Sequence, residues 1–533
     1  MIQLEKHWLE QKKAYESLGV KIPKAKVGTG TPQWIHFGGG NLYRAMHAQI
    51  AQDLIDKHQL ENGVVVVETF DEEVPEKAYQ AYENQILQVV MKEDGQLQNR
   101  LLEATQKAIY GNPQNTGEWN RLVDYFESPI LEFVTLTITE KGYGLKKSDG
   151  SLLPVIEKDM SEGPGSPSHT MSIIASLLYK RYQSNQLPIA MVTTDNFSRN
   201  GEVFRKSILT IAESWMNKRL VAEGFLAYLK DTSKVTFPWS MIDRITPNPS
   251  EDVLNVLKEK GFEDLKLIRT SKGTNIAPFV NTEEIHYLVV EDAFPNGRPD
   301  LTRGGILLTD RETVDKADVM KVTTCLNPLH TALAVYGCLL NFDSIAKEVQ
   351  DTELQKLVQK IGYQEGLPVV VDPEVINPKE FIDEVVNKRL PNPYIPDTPQ
   401  RIASDTSQKI AIRYGETIKK YNDSTDHSVE ELTFIPLVLA GWLRYLMAVD
   451  DNGDSFVPSP DPLLDELQEA LKDLQLGNLP ANLEEILHPI LANQNIFGVD
   501  LFEIKLADKV IGYFKELTQG KGSVRTTLKK YLA

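Results

Sequence analysis

Short apolar runs rich in β-branched residues alternate with amphipathic stretches through the first half of the chain. The runs are WIHFG (34–38), GVVVVETF (63–70), QILQVVMK (85–92), FVTLTITEKG (133–142) and IAMVTTDN (189–196). Between some of them lie helical patterns such as LYRAMHAQIAQDLIDKH. Strands that alternate with helices are typical of an α/β domain with a mostly parallel sheet.

Longer helical patterns replace this alternation from about residue 313. Examples are TVDKADVMK, AKEVQDTELQKLVQKIGYQEG and DTSQKIAIRYGETIKKYN. A chain of 533 residues is too long for a single hydrophobic core. We place a domain boundary near residue 308, in RPDLTRGGILLTDRE. The sequence therefore predicts an α/β domain over 1–308 and a mostly helical domain over 309–533.

The segment VMKVTTCLNPLH (319–330) breaks a helical pattern just past this boundary. Asparagine is a strong helix cap and proline fits the first helical position, so we expect a helix that begins at Pro328 and is capped by Asn327. Capping does not explain Lys321 or His330. Ligand clefts often form at domain junctions, so these polar residues are candidate site residues.

Three consecutive glycines, Gly38, Gly39 and Gly40, follow the first predicted strand and precede a helix. Gly38 and Gly40 supply a G-x-G turn, and Tyr43 stands where a third glycine would complete the dinucleotide motif. Such a loop lets backbone N–H groups approach a pyrophosphate at a helix N-terminus. The alternative is a glycine-rich turn of any βα unit.

The second apolar run ends in Glu68, about where a ribose-binding acid belongs in a dinucleotide fold. Asp71 is a rival for the same role. An acid at this position favours NAD and disfavours the 2′-phosphate of NADP. The alternative for Glu68 is an exposed strand end without a ligand.

Composition narrows the classes of partner. The net charge is −18, from 57 basic and 75 acidic residues, which argues against nucleic acid or an anionic membrane as the main ligand. The N-terminus has no signal-peptide apolar region, and Pro436 and Arg444 interrupt the longest apolar run. The only cysteines, Cys325 and Cys338, indicate a reducing cytoplasm, no disulfides and no standard zinc site.

Six segments in chain order resemble the polyol-specific long-chain dehydrogenases, a family that contains mannitol 2-dehydrogenase and fructuronate reductase. They are FGGGNLYRAMH (37–47), TITEKGYG (137–144), TTDNFSRNG (193–201), FPWSMIDRITP (237–247), MKVTTCLNPLHTALA (320–334) and RIASDTSQKI (401–410). The resemblance covers most of the chain. It implies a Rossmann-type N-terminal domain, a helical C-terminal domain, a nicotinamide cofactor and hydride transfer without a metal.

The resemblance also implies residue roles. Lys321 matches the catalytic lysine, Asn196 and Asn327 match the asparagines that hold the reacting oxygen, and His330 matches a contact to a substrate hydroxyl. It implies substrate contacts at Arg401, Lys409, Ile242 and Asp243. The glycine loop and the end of the second apolar run predict cofactor contacts at Gly38, Gly39, Gly40, Asn41, Leu42 and Glu68. One departure stands out: five residues separate Lys321 from Asn327, where the family has four.

These residue types suit the oxidation of a secondary alcohol. A lysine titrates near about 10.4, and burial together with nearby cations such as Arg401 and Lys409 would bring its pKa toward the working range. Neutral amide donors stabilise the developing alkoxide without protonating the base.

We therefore expect an NAD-dependent enzyme that interconverts a sugar alcohol or aldonate and its keto form, with D-mannonate and D-fructuronate first. Mannitol, arabinitol and altronate/tagaturonate are the alternative substrates, and a non-catalytic nucleotide sensor is the remote alternative. We expect a small-molecule substrate as the partner, and the sequence does not indicate an oligomeric state.

Overall fold

The computed structural model describes residues 1–533, which form two compact units. The first contains Met1–Lys92 and Gln96–Asp315, and the second contains Glu93–Gly95 and Lys316–Ala533. The chain changes unit at Asp315/Lys316, inside the helix Arg311–Met320, whereas the sequence placed the change near residue 308.

All strands of the protein lie in the first unit. They are β1 (Trp34–Phe37), β2 (Val64–Glu68), β3 (Ile86–Met91), β4 (Leu97–Leu102), β5 (Thr105–Tyr110), β6 (Phe133–Leu136), β7 (Ile189–Thr193), β8 (Val235–Thr236), β9 (Ser240–Asp243), β10 (Ile268–Arg269), β11 (Asn275–Ile276), β12 (Phe279–Glu283), β13 (Tyr287–Glu291) and β14 (Leu307–Thr309). Each of the five apolar runs contains one of these strands.

Six strands form a parallel sheet in the order β5-β2-β1-β6-β7-β8. The inner strands are buried on both faces, which explains why they read as continuous apolar runs such as VVVV. The chain leaves β1 for β2 on one side and later returns to β6 on the other side. The carboxyl end of β1 is therefore the topological switch point, where open α/β sheets bind ligands.

Two hydrophobic cores cover the two faces of this sheet. Ile35 and Phe37 of β1 point into one core, and Trp34 points into the other. The α-helices of the first unit are Lys12–Ser17, Ala48–Asp56, Thr116–Glu127, Pro154–Glu162, Thr170–Gln183, Asn200–Asn217, Gly224–Lys230 and Glu251–Glu259. The expected Rossmann-type α/β domain is confirmed.

The run QILQVVMK lies outside the parallel sheet. It forms β3, which pairs antiparallel with β4 and parallel with β12 in a separate three-stranded sheet. A short Asp-Gly turn joins β3 to β4, and such a turn can only connect antiparallel neighbours. Two further small sheets are β10-β11 and β14-β13-β9.

The second unit contains helices and no strands, as expected. Its α-helices after residue 320 are Asn327–Leu339, Ile345–Glu348, Thr352–Gln359, Pro378–Glu384, Pro399–Ile402, Glu416–Asp423, Phe434–Leu446, Leu464–Leu471, Leu483–Leu491, Gln494–Phe497, Ala507–Leu517 and Ser523–Leu532. Four π-helical turns lie among them, at Lys321–Cys325, Lys360–Gly366, Val385–Arg389 and Ala411–Gly415.

The longest apolar run forms the helix Phe434–Leu446, which is buried on all sides. The Glu365 carboxylate accepts the backbone N–H groups of Thr433, Phe434 and Ile435, the last two at 2.7 Å. These N–H groups have no partner within the helix, so a side chain from another element supplies the missing cap. No helix in the protein is long and apolar enough to cross a membrane.

Glu348 is a buried carboxyl group whose two oxygens have no hydrogen-bond partner. Burial, and then the charge of Asp351, raises the pKa of Glu348 to about 9. An unfolded glutamate titrates near about 4.3, so the native protein holds a proton that the unfolded chain releases. Stability is therefore full below about pH 4 and falls as the pH rises toward the folded pKa.

We expect Glu348→Gln to remove this pH dependence. Between pH 5 and 8 the variant should gain about 1.4 kcal/mol of unfolding free energy per pH unit relative to the parent protein. Urea unfolding of both proteins at several pH values measures this slope. Glu469→Gln, at a glutamate with a 71% exposed side chain, is the control and should show no such slope. A constant difference between Glu348→Gln and the parent would contradict the buried neutral carboxyl.

Candidate cofactor cleft and candidate active site

The glycine loop begins with a close approach between two strand ends. Gly38 follows β1 with φ +104°, a backbone conformation that is strained for any residue with a side chain. A Cβ atom at Gly38 would lie 2.1 Å from the carbonyl oxygen of Thr137, which follows β6. Only glycine fits, and the loop therefore starts at the switch point of the sheet.

Gly39 is held from both of its backbone groups. Its N–H donates to Glu68 Oε2 at 3.0 Å, and its carbonyl accepts the Tyr79 hydroxyl at 2.7 Å. The other oxygen of Glu68 accepts the N–H groups of Thr69 and Phe70 at 3.0 and 2.8 Å. Glu68 therefore ties the glycine loop to the end of β2. Its role toward a cofactor ribose stays a prediction.

Asp71, the rival acid, is buried and already bonded. Its Oδ2 accepts the hydroxyl groups of Thr270 and Thr274, both at 2.6 Å. These threonines flank the turn between β10 and β11, so Asp71 anchors that hairpin. Both acids are hydrogen-bonded and both line the cavity along the glycine loop, so the choice between Glu68 and Asp71 stays a prediction.

A cavity of about 830 Å³ lies along the glycine loop, a size typical of small-molecule sites. Gly38, Gly39, Gly40 and Asn41 line it, together with Glu68 and the β10–β11 turn. Leu42 instead packs against the core on the Trp34 face of the sheet. Tyr43, in place of the third glycine, is buried and hydrogen-bonded to Thr105 at 2.8 Å.

Asn196 is exposed in the turn after β7. The preceding residue, Asp195, fixes this turn: its carboxylate accepts the N–H groups of Ile138 and Thr139, both at 2.9 Å, and the Tyr143 hydroxyl at 2.6 Å. Burial raises the pKa of Asp195. The TTDNFSRNG and TITEKGYG segments are thus joined by one buried carboxyl group.

Ile242 and Asp243 end β9, which pairs with β13 of the first unit. Both side chains are buried, and Ile242 belongs to the core on the Trp34 face of the sheet. Their predicted places beside a substrate stay predictions.

Lys321 is the first residue of a π-helical turn in the second unit, and only 2% of its surface is exposed. Its Nζ lies 3.3 Å from Oδ1 of Asp318, which is also buried. Sequence reasoning missed Asp318. The signal was present, because an acid three residues before a lysine shares its helical face.

The predicted capping role of Asn327 is wrong. The helix is Asn327–Leu339, Leu326 occupies the cap position, and no side chain caps the helix. An asparagine that caps a helix has an extended backbone itself and stands just outside the helix. Here a π-helical turn leads directly into the helix, and the Leu326 N–H donates to the Lys321 carbonyl at 3.1 Å. Pro328 lies in the first turn, as expected.

The π-helical turn also accounts for the longer spacing between Lys321 and Asn327. Hydrogen bonds in such a turn skip one residue more than in an α-helix, so an additional residue is held without unwinding the chain. The expected non-helical break is therefore a helical turn of a different pitch. π-Helical turns are frequent at functional sites.

The start of the helix Asn327–Leu339 is fixed by the neighbouring π-helical turn, Ala411–Gly415. Arg413 Nη1 donates to the Thr331 hydroxyl at 2.7 Å, and Thr331 donates to the Asn327 carbonyl at 3.0 Å. Tyr414 donates to the Pro328 carbonyl at 2.6 Å. His330 is half-buried in this first turn.

Arg401 and Lys409 lie in the same unit as Lys321 and His330. Arg401 is exposed and forms an ion pair with Asp397, four residues earlier and outside the helix Pro399–Ile402. Lys409 Nζ donates to the Ser404 carbonyl at 2.6 Å, and burial, followed by the charge of Arg413, lowers the pKa of Lys409. Both cations are therefore held by their own unit.

The expected site residues thus fall into two groups. Lys321, Asn327, His330, Arg401 and Lys409 belong to the second unit, and the glycine loop, Glu68, Asn196, Ile242 and Asp243 belong to the first. No group of three or more histidine, cysteine, aspartate or glutamate residues is arranged to hold a metal ion.

A six-stranded parallel sheet with a glycine loop at its switch point is the arrangement of a Rossmann-type dinucleotide-binding domain. Residues 32–303 match the mannitol dehydrogenase Rossmann domain and residues 313–517 match the mannitol dehydrogenase C-terminal domain. The chain belongs to the mannitol dehydrogenase family, which confirms the resemblance seen in the sequence.

Individual relatives agree with this family. The chain is 46% identical to a D-mannonate oxidoreductase of Thermotoga maritima over 99% of both chains. It is 25% identical to a polyol:NADP oxidoreductase of Gluconobacter oxydans over 85% of this chain and 87% of the relative.

Two solved structures share the fold. A substrate-free D-sorbitol dehydrogenase has a TM-score of 0.79 at 22% identity and covers 96% of this chain and 97% of its own. The Pseudomonas fluorescens mannitol 2-dehydrogenase ternary complex with NAD and D-mannitol has a TM-score of 0.69 at 24% identity and covers 100% and 99%.

The contact at Gly38 gives a direct test of the cleft. We expect Gly38→Ala to abolish measurable NADH binding and to lower the unfolding free energy by about 2 kcal/mol or more, because the new methyl group meets the Thr137 carbonyl in a strained conformation. NADH fluorescence titration and thermal melting measure the two effects.

Gly40→Ala is the matched control two residues away. A Cβ atom there meets nothing within 4 Å, and Gly40 is not among the residues with positive φ. We expect Gly40→Ala to have the same melting temperature as the parent protein. NADH binding by Gly38→Ala at the parent's affinity would mean that the glycine loop is not the cofactor site.

Proposed function

We propose that the chain is an NAD-dependent oxidoreductase that interconverts D-mannonate and D-fructuronate. The observation that carries this proposal is the 46% identity, over nearly the whole chain, to a D-mannonate oxidoreductase. The intact glycine loop and the buried Lys321 supply the two parts that such chemistry needs. We also assign the enzyme to the cytoplasm, on the evidence of two buried cysteines that form no disulfide.

The first unit is suited to hold the dinucleotide. The glycines let the backbone approach a pyrophosphate, and Glu68 and Asn41 line the same cavity. Nicotinamide, when bound, accepts or donates the hydride. The chain itself must move the accompanying proton and steady the charge on the substrate oxygen.

Lys321 is the residue we assign to the proton. During alcohol oxidation its neutral Nζ takes the proton from the substrate hydroxyl, and during ketone reduction the ammonium returns it. The lysine side chain is buried, and the contact of 3.3 Å between its Nζ and Oδ1 of Asp318 orients the amino group. Asn327, in the same unit as Lys321, provides an amide donor for the substrate oxygen, which stabilises an alkoxide without competing for the proton. The corresponding role of Asn196 stays what the family resemblance implies.

The charge of the substrate is compatible with the proposed substrate class, although Arg401 and Lys409 could bind hydroxyl groups as well. D-Mannonate carries a carboxylate that mannitol lacks, and Arg401 and Lys409 are cations suited to bind it. Of the two, Arg401 is exposed, although its guanidinium already contacts Asp397. We therefore assign Arg401 to the far end of the substrate and His330 to one of its hydroxyl groups.

A substrate panel tests the proposal. We expect NADH oxidation with D-fructuronate and NAD reduction with D-mannonate, followed at the nicotinamide absorbance band, with kcat/KM well above the values for D-tagaturonate, D-fructose, mannitol and arabinitol. A preference for an uncharged polyol would move the assignment to that polyol. No turnover with any member would favour a nucleotide-binding protein without catalysis.

The cofactor preference is a separate test. Glu68 places a carboxylate at the end of β2, beside the cleft, and like charge disfavours a 2′-phosphate there. We expect kcat/KM to be roughly tenfold or more higher with NAD than with NADP, a modest share of the several kcal/mol that like charges can cost. An NADP preference, measured at equal substrate saturation, would contradict this role of Glu68.

Replacement of the proposed base tests the chemistry. We expect Lys321→Ala to lower kcat by roughly 10²–10⁴ while NADH binding stays at the parent level, because the cofactor contacts lie in the other unit. The alcohol-oxidation pH profile should lose the ionisation that belongs to the base, and an added primary amine should restore part of the rate.

Lys347→Ala is the control, because this lysine has a 63% exposed side chain and pairs only with Asp343 one turn away. It should leave kcat unchanged. Near-normal turnover by Lys321→Ala would show that another group moves the proton and that the buried ion pair with Asp318 is structural.

A further inference from the structure

Buried arginines in this protein are normally satisfied by backbone carbonyl groups. Arg181 donates five hydrogen bonds, all to carbonyl oxygens, and Arg444 donates three. Arg244 bonds to two carbonyl oxygens, a threonine hydroxyl and a glutamine side chain. These bonds replace the water that each guanidinium gives up on burial.

Arg44 is the exception. Only 1% of its surface is exposed, and its single hydrogen bond is a long one, 3.5 Å from Nη1 to the Phe279 carbonyl. Nε and Nη2 have no partner. The charge faces the ring of Tyr79, whose centroid lies 5.6 Å from Cζ, and no carboxylate forms an ion pair with it.

The protein alone compensates the buried charge of Arg44 poorly. Burial lowers the pKa of Arg44, and only the phenol groups of Tyr79 and Tyr82 act in the opposite direction. An unpaired buried charge is ordinarily unfavourable, because neither water nor a counter-ion compensates it. The compensating anion is therefore expected from outside the chain.

The position of Arg44 indicates where that anion lies. Arg44 lines the same cavity as the glycine loop, and Tyr79, which carries the guanidinium over its ring, donates its hydroxyl to Gly39. Residues 41–56 are helical throughout, so Arg44 stands in the first helical turn. A positive side chain is unfavourable there, because the helix dipole already makes that end positive, unless an anion is bound.

We propose that Arg44 is a cofactor-binding residue whose guanidinium is the counter-charge of the diphosphate of the dinucleotide. The proposal rests on the proposed nicotinamide-dependent function and adds a residue to it. The cavity offers a diphosphate two kinds of partner: the N–H groups at the helix start can donate hydrogen bonds, and Arg44 adds a fixed positive charge to the lining. The 2′-phosphate of NADP would instead lie at the Glu68 end.

Binding measurements on Arg44→Met and Arg44→Lys test this role. We expect Arg44→Met to weaken NADH and ADP by roughly tenfold to a hundredfold, the range for losing a hydrogen-bonded charge, while adenosine binds as to the parent. Arg44→Lys keeps the charge and should stay within a few-fold of the parent. Inorganic pyrophosphate should raise the melting temperature of the parent and not of Arg44→Met.

Thermal melting without ligand separates a binding role from a structural one. A buried cation without a counter-ion lowers the stability of the protein in the absence of ligand. Arg44→Met should therefore melt at or above the melting temperature of the parent protein. Arg303→Met, at an arginine with a 65% exposed side chain, is the control for a general loss of positive charge. It should change neither ligand affinity nor melting.

Three results would overturn the inference: Arg44→Met binding NADH as the parent does, an equal loss of adenosine and ADP affinity, or unfolding of both Arg44 variants. The last would show that the guanidinium stabilises the empty fold. Failure of the parent itself to bind NADH would overturn the proposed function instead, so the two failures remain distinct.

Discussion

The cofactor cleft depends on one steric constraint, the approach of the backbone at Gly38 to the Thr137 carbonyl. A Cβ atom would lie 2.1 Å from that oxygen, so the ends of β1 and β6 can pack this closely only around glycine. The packing fixes the direction in which the chain leaves β1. Gly39 is then held by hydrogen bonds to Glu68 and Tyr79, and backbone atoms of the glycine loop line the cleft.

Buried polar groups separate into those that complete the fold and those that do not. Glu365 satisfies a helix start, Asp195 joins two loops and Arg181 holds carbonyl groups together. Glu348 and Arg44 are buried with little or no compensation. For Glu348 a retained proton removes the charge. Arginine stays protonated at any working pH, so the charge of Arg44 must instead be compensated by an anion from outside the chain.

The elements that local pattern determines were predictable, and the contacts between distant residues were not. Apolar β-branched runs marked the four inner strands of the parallel sheet, because strands buried on both faces need no polar alternation, whereas the edge strands β5 and β8 were not predicted. The contacts of Asp71 could not be predicted from its neighbours, because they come from Thr270 and Thr274, about 200 residues later. The cap at Asn327 failed for a related reason: local preference contains no sign of a π-helical turn before it.

That π-helical turn places Lys321 at one end and Asn327 just beyond the other, so their relative position depends on its pitch. Such a turn leaves carbonyl groups poorly aligned, and the surrounding residues compensate. Thr417 donates to the Thr323 carbonyl at 3.2 Å, and the Thr323 hydroxyl donates to the Val319 carbonyl at 2.8 Å. Thr323, in the segment that breaks the helical pattern of the sequence, thus supports a turn that accommodates an extra residue. The longer spacing is therefore compatible with a catalytic lysine, because the added residue is absorbed between the two polar groups and leaves the helix that follows intact.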